Sequence, residues 1–229
     1  MKLKLSKRLL TTAKMLTPGL SVADIGCDHA YTSLYLVQNN IASKVIAMDI
    51  NEGPLNMARE NIRLHHMEDV IETRLSNGAM ELKQGEVEAF LISGMGGPLI
   101  CNILQNRLDL LPTVKELILQ PQSEVFEVRH FLHDHGFAIV AEDMVLDEGK
   151  YYVIIKARPG AQSYSNEYQY IYGAELMKSE NPVWIEYMTK ERNKMEKVLS
   201  TLPDTEKAMA RRQELRDVCR QLDAILQKK

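Results

Sequence analysis

Residues 137–160 read FAIVAEDMVLDEGKYYVIIKARPG, and this stretch decides the fold. Two runs rich in β-branched and aromatic residues flank Asp147, Glu148 and Gly149. Such a pattern predicts two strands joined by a turn. No helix fits between them, so they form a hairpin and one strand must run antiparallel. Upstream the pattern is different. Apolar strands at SVADIG (21–26), KVIAMDI (44–50), IETRLSNG (71–78), EAFLISGMGG (88–97) and ELILQPQ (116–122) alternate with helical stretches. Repeated β-α units predict a parallel sheet with helices on both faces.

This order separates two classes. A dinucleotide-binding dehydrogenase domain continues with parallel β-α units. A mostly parallel sheet finished by an antiparallel hairpin is similar to the methyltransferases that use S-adenosylmethionine, an analogy of fold and not of chemistry. The expected fold is therefore α/β: a Rossmann-like class I methyltransferase sheet of seven strands, mostly parallel, with a C-terminal antiparallel hairpin.

The ends of the chain carry the rest of the organisation. Residues 5–16 have helical apolar spacing, closed by Pro18-Gly19. Beyond Gly160 no convincing strand follows. Trp184, Met188, Met195, Val198 and Leu199 recur at helical spacing, and Leu215, Val218, Leu222 and Ile225 follow a heptad rhythm after Leu202-Pro203. This predicts an α-helical extension, a hairpin forming an antiparallel coiled coil. The expected domains are 1–160, binding the cofactor, and 161–229, the helical hairpin.

Charge follows the same division. Residues 1–20 hold Lys2, Lys4, Lys7, Arg8 and Lys14 and no acid, residues 21–160 hold 11 basic and 20 acidic residues, and residues 161–229 hold 12 and 11. A polyanionic partner should therefore meet the ends of the chain and not its acidic body. Lys7 and Arg8, and the stripe Arg212, Arg216 and Arg220, are the candidate contacts. Cys27, Cys101 and Cys219 are odd in number and form no CxxC pair, which argues for reduced thiols, a cytoplasmic location and no structural zinc. His130, His133 and His135 fall in an amphipathic helix without a supporting cysteine or glutamate motif, so no metal site is expected. No apolar run is long enough to span a membrane, and a secretory signal is not expected at the N-terminus.

The loop after the first strand is the place to look for a ligand, because open α/β sheets bind beyond the carboxyl ends of their strands. ADIGCDHAY (23–31) offers Asp24 and Gly26, but Asp28 and Tyr31 occupy the second and third glycine positions of the dinucleotide fingerprint. Asp28 would repel a pyrophosphate. It would tolerate, or attract, a sulfonium cation. Asp49, closing the second strand, can accept two ribose hydroxyls. Asn77-Gly78 can meet an adenine edge, and is also an ordinary turn dipeptide. The glycines of Ser93-Gly94-Met95-Gly96-Gly97 imply a close backbone approach. The candidate cofactor set is Asp24, Gly26, Cys27, Asp28, Asp49, Ile50, Asn77, Gly78, Ser93, Gly94, Met95 and Gly96, and Gln120-Pro121-Gln122 adds polar groups to the same rim.

LSKRL, ADIGCDHAY, SGMGG and LQPQ, in this order and spacing, resemble the bacterial tRNA (adenine-22-N1)-methyltransferases over nearly the whole chain. The chain departs from them at Cys27, where a small Ser or Thr is usual, and at Asn77, where GDG is common. The resemblance implies methylation of N1 of an adenine in the D-arm region of tRNA, using S-adenosylmethionine. A monomer is the favoured expectation, although the sequence does not give the oligomeric state. Asp28, His29 and Tyr31 are then the candidate catalytic residues. Asp28 would face the sulfonium or the methylated ring, Tyr31 would stack on an exposed base, and His29 would contact the cofactor carboxylate or serve the loop. Asp28 can also cap the following helix, and the two roles can coexist. Two other classes fit the same residues: a methyltransferase acting on another RNA, a small molecule or a protein, and a non-catalytic, cofactor-sensing RNA-binding protein. A tRNA gel shift and a methyl-transfer assay separate them.

Overall fold

Strands pair in the order β3-β2-β1-β4-β5-β7-β6 in a computed structural model that describes residues 3–203 and 205–227. Lys2 of the basic arm lies outside the described residues. The strands are β1 (Leu20–Ile25), β2 (Ala42–Asp49), β3 (Ile71–Leu75), β4 (Ala89–Met95), β5 (Glu116–Pro121), β6 (Phe137–Asp147) and β7 (Lys150–Pro159). The first five pair in parallel, and β7 pairs antiparallel with both β5 and β6. The hairpin expected from residues 137–160 is the far edge of one seven-stranded sheet.

Alternation along the strands builds both cores. Ala23, Ile25, Phe90, Ile92, Leu117 and Leu119 face one cluster, together with Ile100, Ile103 and Leu104 of α4 (Gly97–Gln105) and Val128 and Leu132 of α5 (Val125–Asp134). Val22, Ala89, Leu91 and Ile118 face the other. Its helices are α1 (Lys7–Lys14), α2 (Tyr31–Gln38) and α3 (Glu52–Leu64). A sheet covered on both faces needs apolar residues at successive positions, hence runs such as AFLI in β4.

Two compact units divide after Glu175, later than the compositional change at Gly160. A buried ion pair ties residues 161–175 to the first unit. Arg129 Nε donates to Glu142 Oε1 at 2.7 Å, with both side chains withdrawn from solvent. Arg129 Nη1 then donates to the carbonyls of Tyr170 and Ile171 in α6 (Glu167–Tyr172). The second unit, Leu176–Lys229, consists mainly of α8 (Pro182–Thr201) and α9 (Glu206–Leu226) packed on each other, after the end of α7 (Ala174–Lys178). Trp184, Met188, Leu215 and Leu222 are buried, whereas Val198 is exposed. Among the described residues no helix is long and apolar enough to cross a membrane.

Candidate active site

A cavity of about 470 Å³ lies over the carboxyl ends of β1, β2 and β4. The first strand ends in it because Gly26 and Cys27 turn back on β2: both backbone N–H groups donate to Met48 O, at 2.8 and 2.9 Å. Gly26 has φ +79°, a conformation that glycine adopts without strain. Asp28 (φ 52°) and Ala30 (φ 60°) adopt the left-handed region without being glycine. Strain of this kind persists only where the surroundings enforce it. Here Asp49 supplies the restraint: its Oδ2 accepts from Asp28 N at 3.3 Å and its Oδ1 from Asn51 N at 2.9 Å.

Ala30, not Asp28, caps α2, and no side chain takes part. The capping role open to Asp28 in the sequence is therefore not the one it has. Its carboxylate is 70% exposed, with Oδ1 3.5 Å from His29 Nε2. The His29 ring meets Tyr31 edge-on at 5.9 Å, and its Nδ1 is shielded from solvent without a hydrogen-bond partner among the described residues. Asp24 is buried and accepts from Ser33 Oγ at 2.6 Å. Burial outweighs that bond and pushes the Asp24 carboxyl up to about 6. Burial, reinforced by the neighbouring aspartates, raises the Cys27 thiol far above its usual range and so favours its protonated form.

The cavity gathers Asp24, Gly26, Cys27, Asp28, Asp49, Ile50, Asn77, Gly78, Ser93, Gly94 and Met95, with His29 and Tyr31 beside them. Gly96 is not on its wall and instead precedes α4 as the N-cap. The SGMGG glycines therefore serve two ends. Gly94 supplies a positive φ of 83° at the rim, while a Cβ on Gly97 would stand 2.6 Å from Glu124 O and 2.7 Å from Ser123 O, so that glycine serves packing. Sequence reasoning missed Ser33, Asn51, Ser76, Leu99 and Ile103. Only Leu99 and Ile103 left a trace, one turn apart on the helix that follows the glycine loop.

Three carboxylates and one guanidinium, that of Arg8, line this space. Such a donor set opposes a pyrophosphate and suits a ligand bearing cations and hydroxyls. The unpaired His29 Nδ1 is a further group that a polar ligand could satisfy. The residues therefore fit S-adenosylmethionine.

Residues 22–224 match the family model described as tRNA (adenine(22)-N(1))-methyltransferase. The chain belongs to that methyltransferase family. The tRNA (adenine(22)-N(1))-methyltransferase of Bacillus subtilis (strain 168) is 34% identical over 223 residues, 94% of each chain. The crystal structure of the B. subtilis m1A22 tRNA methyltransferase TrmK superposes with a TM-score of 0.85 at 33% identity, covering 98% of this chain and 100% of that one. Streptococcus pneumoniae Sp1610, solved in complex with S-adenosyl-L-methionine, also gives 0.85, at 34% identity over 97% of this chain and 100% of its own.

For a tRNA methyltransferase the basic residues matter next. Lys7 is exposed. Arg8 turns inward: its Nη1 donates to Ser93 Oγ at 3.0 Å and Gln120 Oε1 at 2.7 Å, and its guanidinium stands 5.3 Å from the centre of the Tyr152 ring. In the second unit Arg212 donates to Leu202 O at 2.9 Å, Arg220 pairs with Asp217, and Arg216 is exposed. The candidate stripe is thus three residues in three different situations. Arg211 and Glu214 form the helix-internal pair that their spacing allows, at 2.7 Å. His130, His133 and His135 are held by Glu167, by Tyr170 with Gln162, and by Phe131 O respectively. Among the described residues no cluster could hold a metal ion.

Proposed function

We propose that this protein methylates N1 of adenine 22 of tRNA, using S-adenosylmethionine, as a monomer in the cytoplasm. One observation carries the reading: the family match spans residues 22–224 and so includes every acid of the cavity. When bound, S-adenosylmethionine supplies an electrophilic methyl group on a sulfonium sulfur. Asp49 would hold the ribose hydroxyls, Asp24 the ammonium, and the Asn77-Gly78 turn the adenine edge. The Gly26-Cys27 backbone, folded onto β2, leaves room for the cofactor chain.

The target base needs no strong general base, because N1 of adenine carries an in-plane lone pair. Methylation places a positive charge on the ring. The Asp28 carboxylate, fixed on its strained loop and not used as a cap, would stabilise that charge as it develops. Tyr31, 44% exposed at the mouth, would stack on a base drawn out of the tRNA. Leu99, also exposed on the cavity wall, would exclude water around it, and Ile50, next to Asp49, would pack on the cofactor. Among the candidate contacts, Lys7 and Arg216 have exposed side chains and would meet phosphates.

The test is methylation of unmodified tRNA, followed by reverse transcription. The expected result is a cofactor-dependent stop immediately 3′ of adenine 22. A stop at another position, or labelled methyl on protein with none on tRNA, would reject the reading.

A further inference from the structure

The two glutamines of Gln120-Pro121-Gln122 have different fates. Gln120 is fully buried, and its amide is committed. Its Oε1 accepts from Arg8 Nη1 at 2.7 Å, from Gly94 N at 3.1 Å and from Ser93 Oγ at 3.2 Å, and its Nε2 donates to Pro121 O at 3.1 Å. Gln122 is exposed and lines the cavity. Its backbone N–H donates to Met95 O at 2.8 Å, which ties it to the β4 rim. Among the described residues its side-chain amide makes no hydrogen bond. A Cβ placed on Gly94 would lie 3.6 Å from Gln122 Nε2 and 3.6 Å from Arg8 Nη1. The exposed backbone of Gly94 is therefore a floor bracketed by a guanidinium locked to Gln120 and an amide with no partner.

The sheet order decides which ligand meets that amide. β4 and β5 lie on one side of β1, and β2 with Asp49 lies on the other. With the cofactor ribose at Asp49, the target adenine takes the β4–β5 side. Its N1 must point at the methyl donor, so the Watson–Crick edge is engaged. The Hoogsteen edge, N6–H and N7, is left for the protein. A carboxamide matches that edge with two hydrogen bonds, the oxygen accepting from N6–H and the nitrogen donating to N7. Guanine would set its O6 against the amide oxygen, acceptor against acceptor.

We infer that Gln122 reads the Hoogsteen edge of the target adenine, donating to its N7 and accepting from its N6–H. The inference rests on the methyl-transfer reading above.

The test is a cycle between Gln122→Ala and a tRNA carrying 7-deazaadenosine at position 22, which lacks the N7 acceptor. On normal tRNA, Gln122→Ala should lower kcat/KM about ten-fold or more. The wild type should lose about three- to ten-fold on the 7-deaza substrate. Gln122→Ala should show no further loss on it. Cofactor affinity and melting temperature should match the wild type. The wild-type comparison needs no variant, so it stands even if Gln122→Ala folds poorly. A wild type indifferent to 7-deaza substitution, or equal penalties in both proteins, overturns the inference alone. Absence of methylation of normal tRNA by the wild type overturns the proposed function with it.

Discussion

Asp24 is a carboxylate whose cost can be measured. Its folded pKa of about 6 lies above the ordinary 3.8, with burial as the main cause. Its contribution to stability is fully present below 3.8 and is lost as pH rises through about 6. The difference in unfolding free energy between wild type and Asp24→Asn should therefore fall by about 1–2 kcal/mol from pH 5 to pH 7.5. Denaturant melts at the two pH values check this, and a pH-independent difference would mean that Asp24 does not titrate there. Asp49 poses a different problem, because two backbone N–H groups already point at its two oxygens. Asn offers one acceptor and one donor there, so either flip leaves a donor facing a donor. Asp49→Asn should weaken S-adenosylmethionine binding by about ten-fold or more, measured by calorimetry. Unchanged affinity would remove Asp49 from the site. For Asp28, replacement by Ala should lower turnover at saturating tRNA and cofactor by about a hundred-fold. Near-normal turnover would leave the loop strain without a catalytic purpose.

At the scale of elements, α9 shows why an arginine stripe is not one feature. Arg212, Arg216 and Arg220 share a spacing of four residues, which a helix places near one face. Their neighbours differ. Arg212 reaches the carbonyl of Leu202, the C-cap of α8, and so joins the ends of the two helices. Arg212→Ala should lower the melting temperature. Arg216→Ala should leave it unchanged and should reduce the salt slope of tRNA binding by about one if Arg216 meets a phosphate. A lower melting temperature with Arg216→Ala would mark it as structural. The same divergence appears within α1, where adjacent Lys7 and Arg8 face outward and inward.

For the whole molecule, the two possible boundaries make different proteins. A chain ending at Glu175 keeps α6 and the carbonyls of Tyr170 and Ile171 that Arg129 requires. A chain ending at Gly160 loses those acceptors and uncovers the Arg129–Glu142 pair, giving up hydrogen bonds to a charged group worth about 1.5–3 kcal/mol. The shorter protein should melt roughly 5 °C or more below the longer one. The longer one should bind S-adenosylmethionine with near wild-type affinity, because every proposed cofactor residue lies before Gly97, and should methylate tRNA poorly. Equal melting temperatures would show that the Arg129 network is not what sets the boundary.

The alternation of strands and helices, the hairpin at 137–160 and most of the cavity wall were legible along the chain. Each rests on a local rule: strand period, turn residues, or the tendency of α/β loops after strands to hold ligands. Most of the expected cofactor set does meet in one cavity, because parallel strands deliver their carboxyl ends to the same side. Local rules could not say where a side chain turns once distant elements arrive. The inward course of Arg8 depends on Ser93, Gln120 and Tyr152, each far from it in sequence. The raised pKa of Asp24 depends on burial, which a lone DxG does not reveal. Gly96 stood in a glycine run that looked wholly ligand-facing, yet the run also serves the packing of α4 on residues 123–124. A sequence determines which groups are available and at what period. Only tertiary packing decides which of them are consumed by one another and which, like the amide of Gln122 beside the spent amide of Gln120, are left for a ligand.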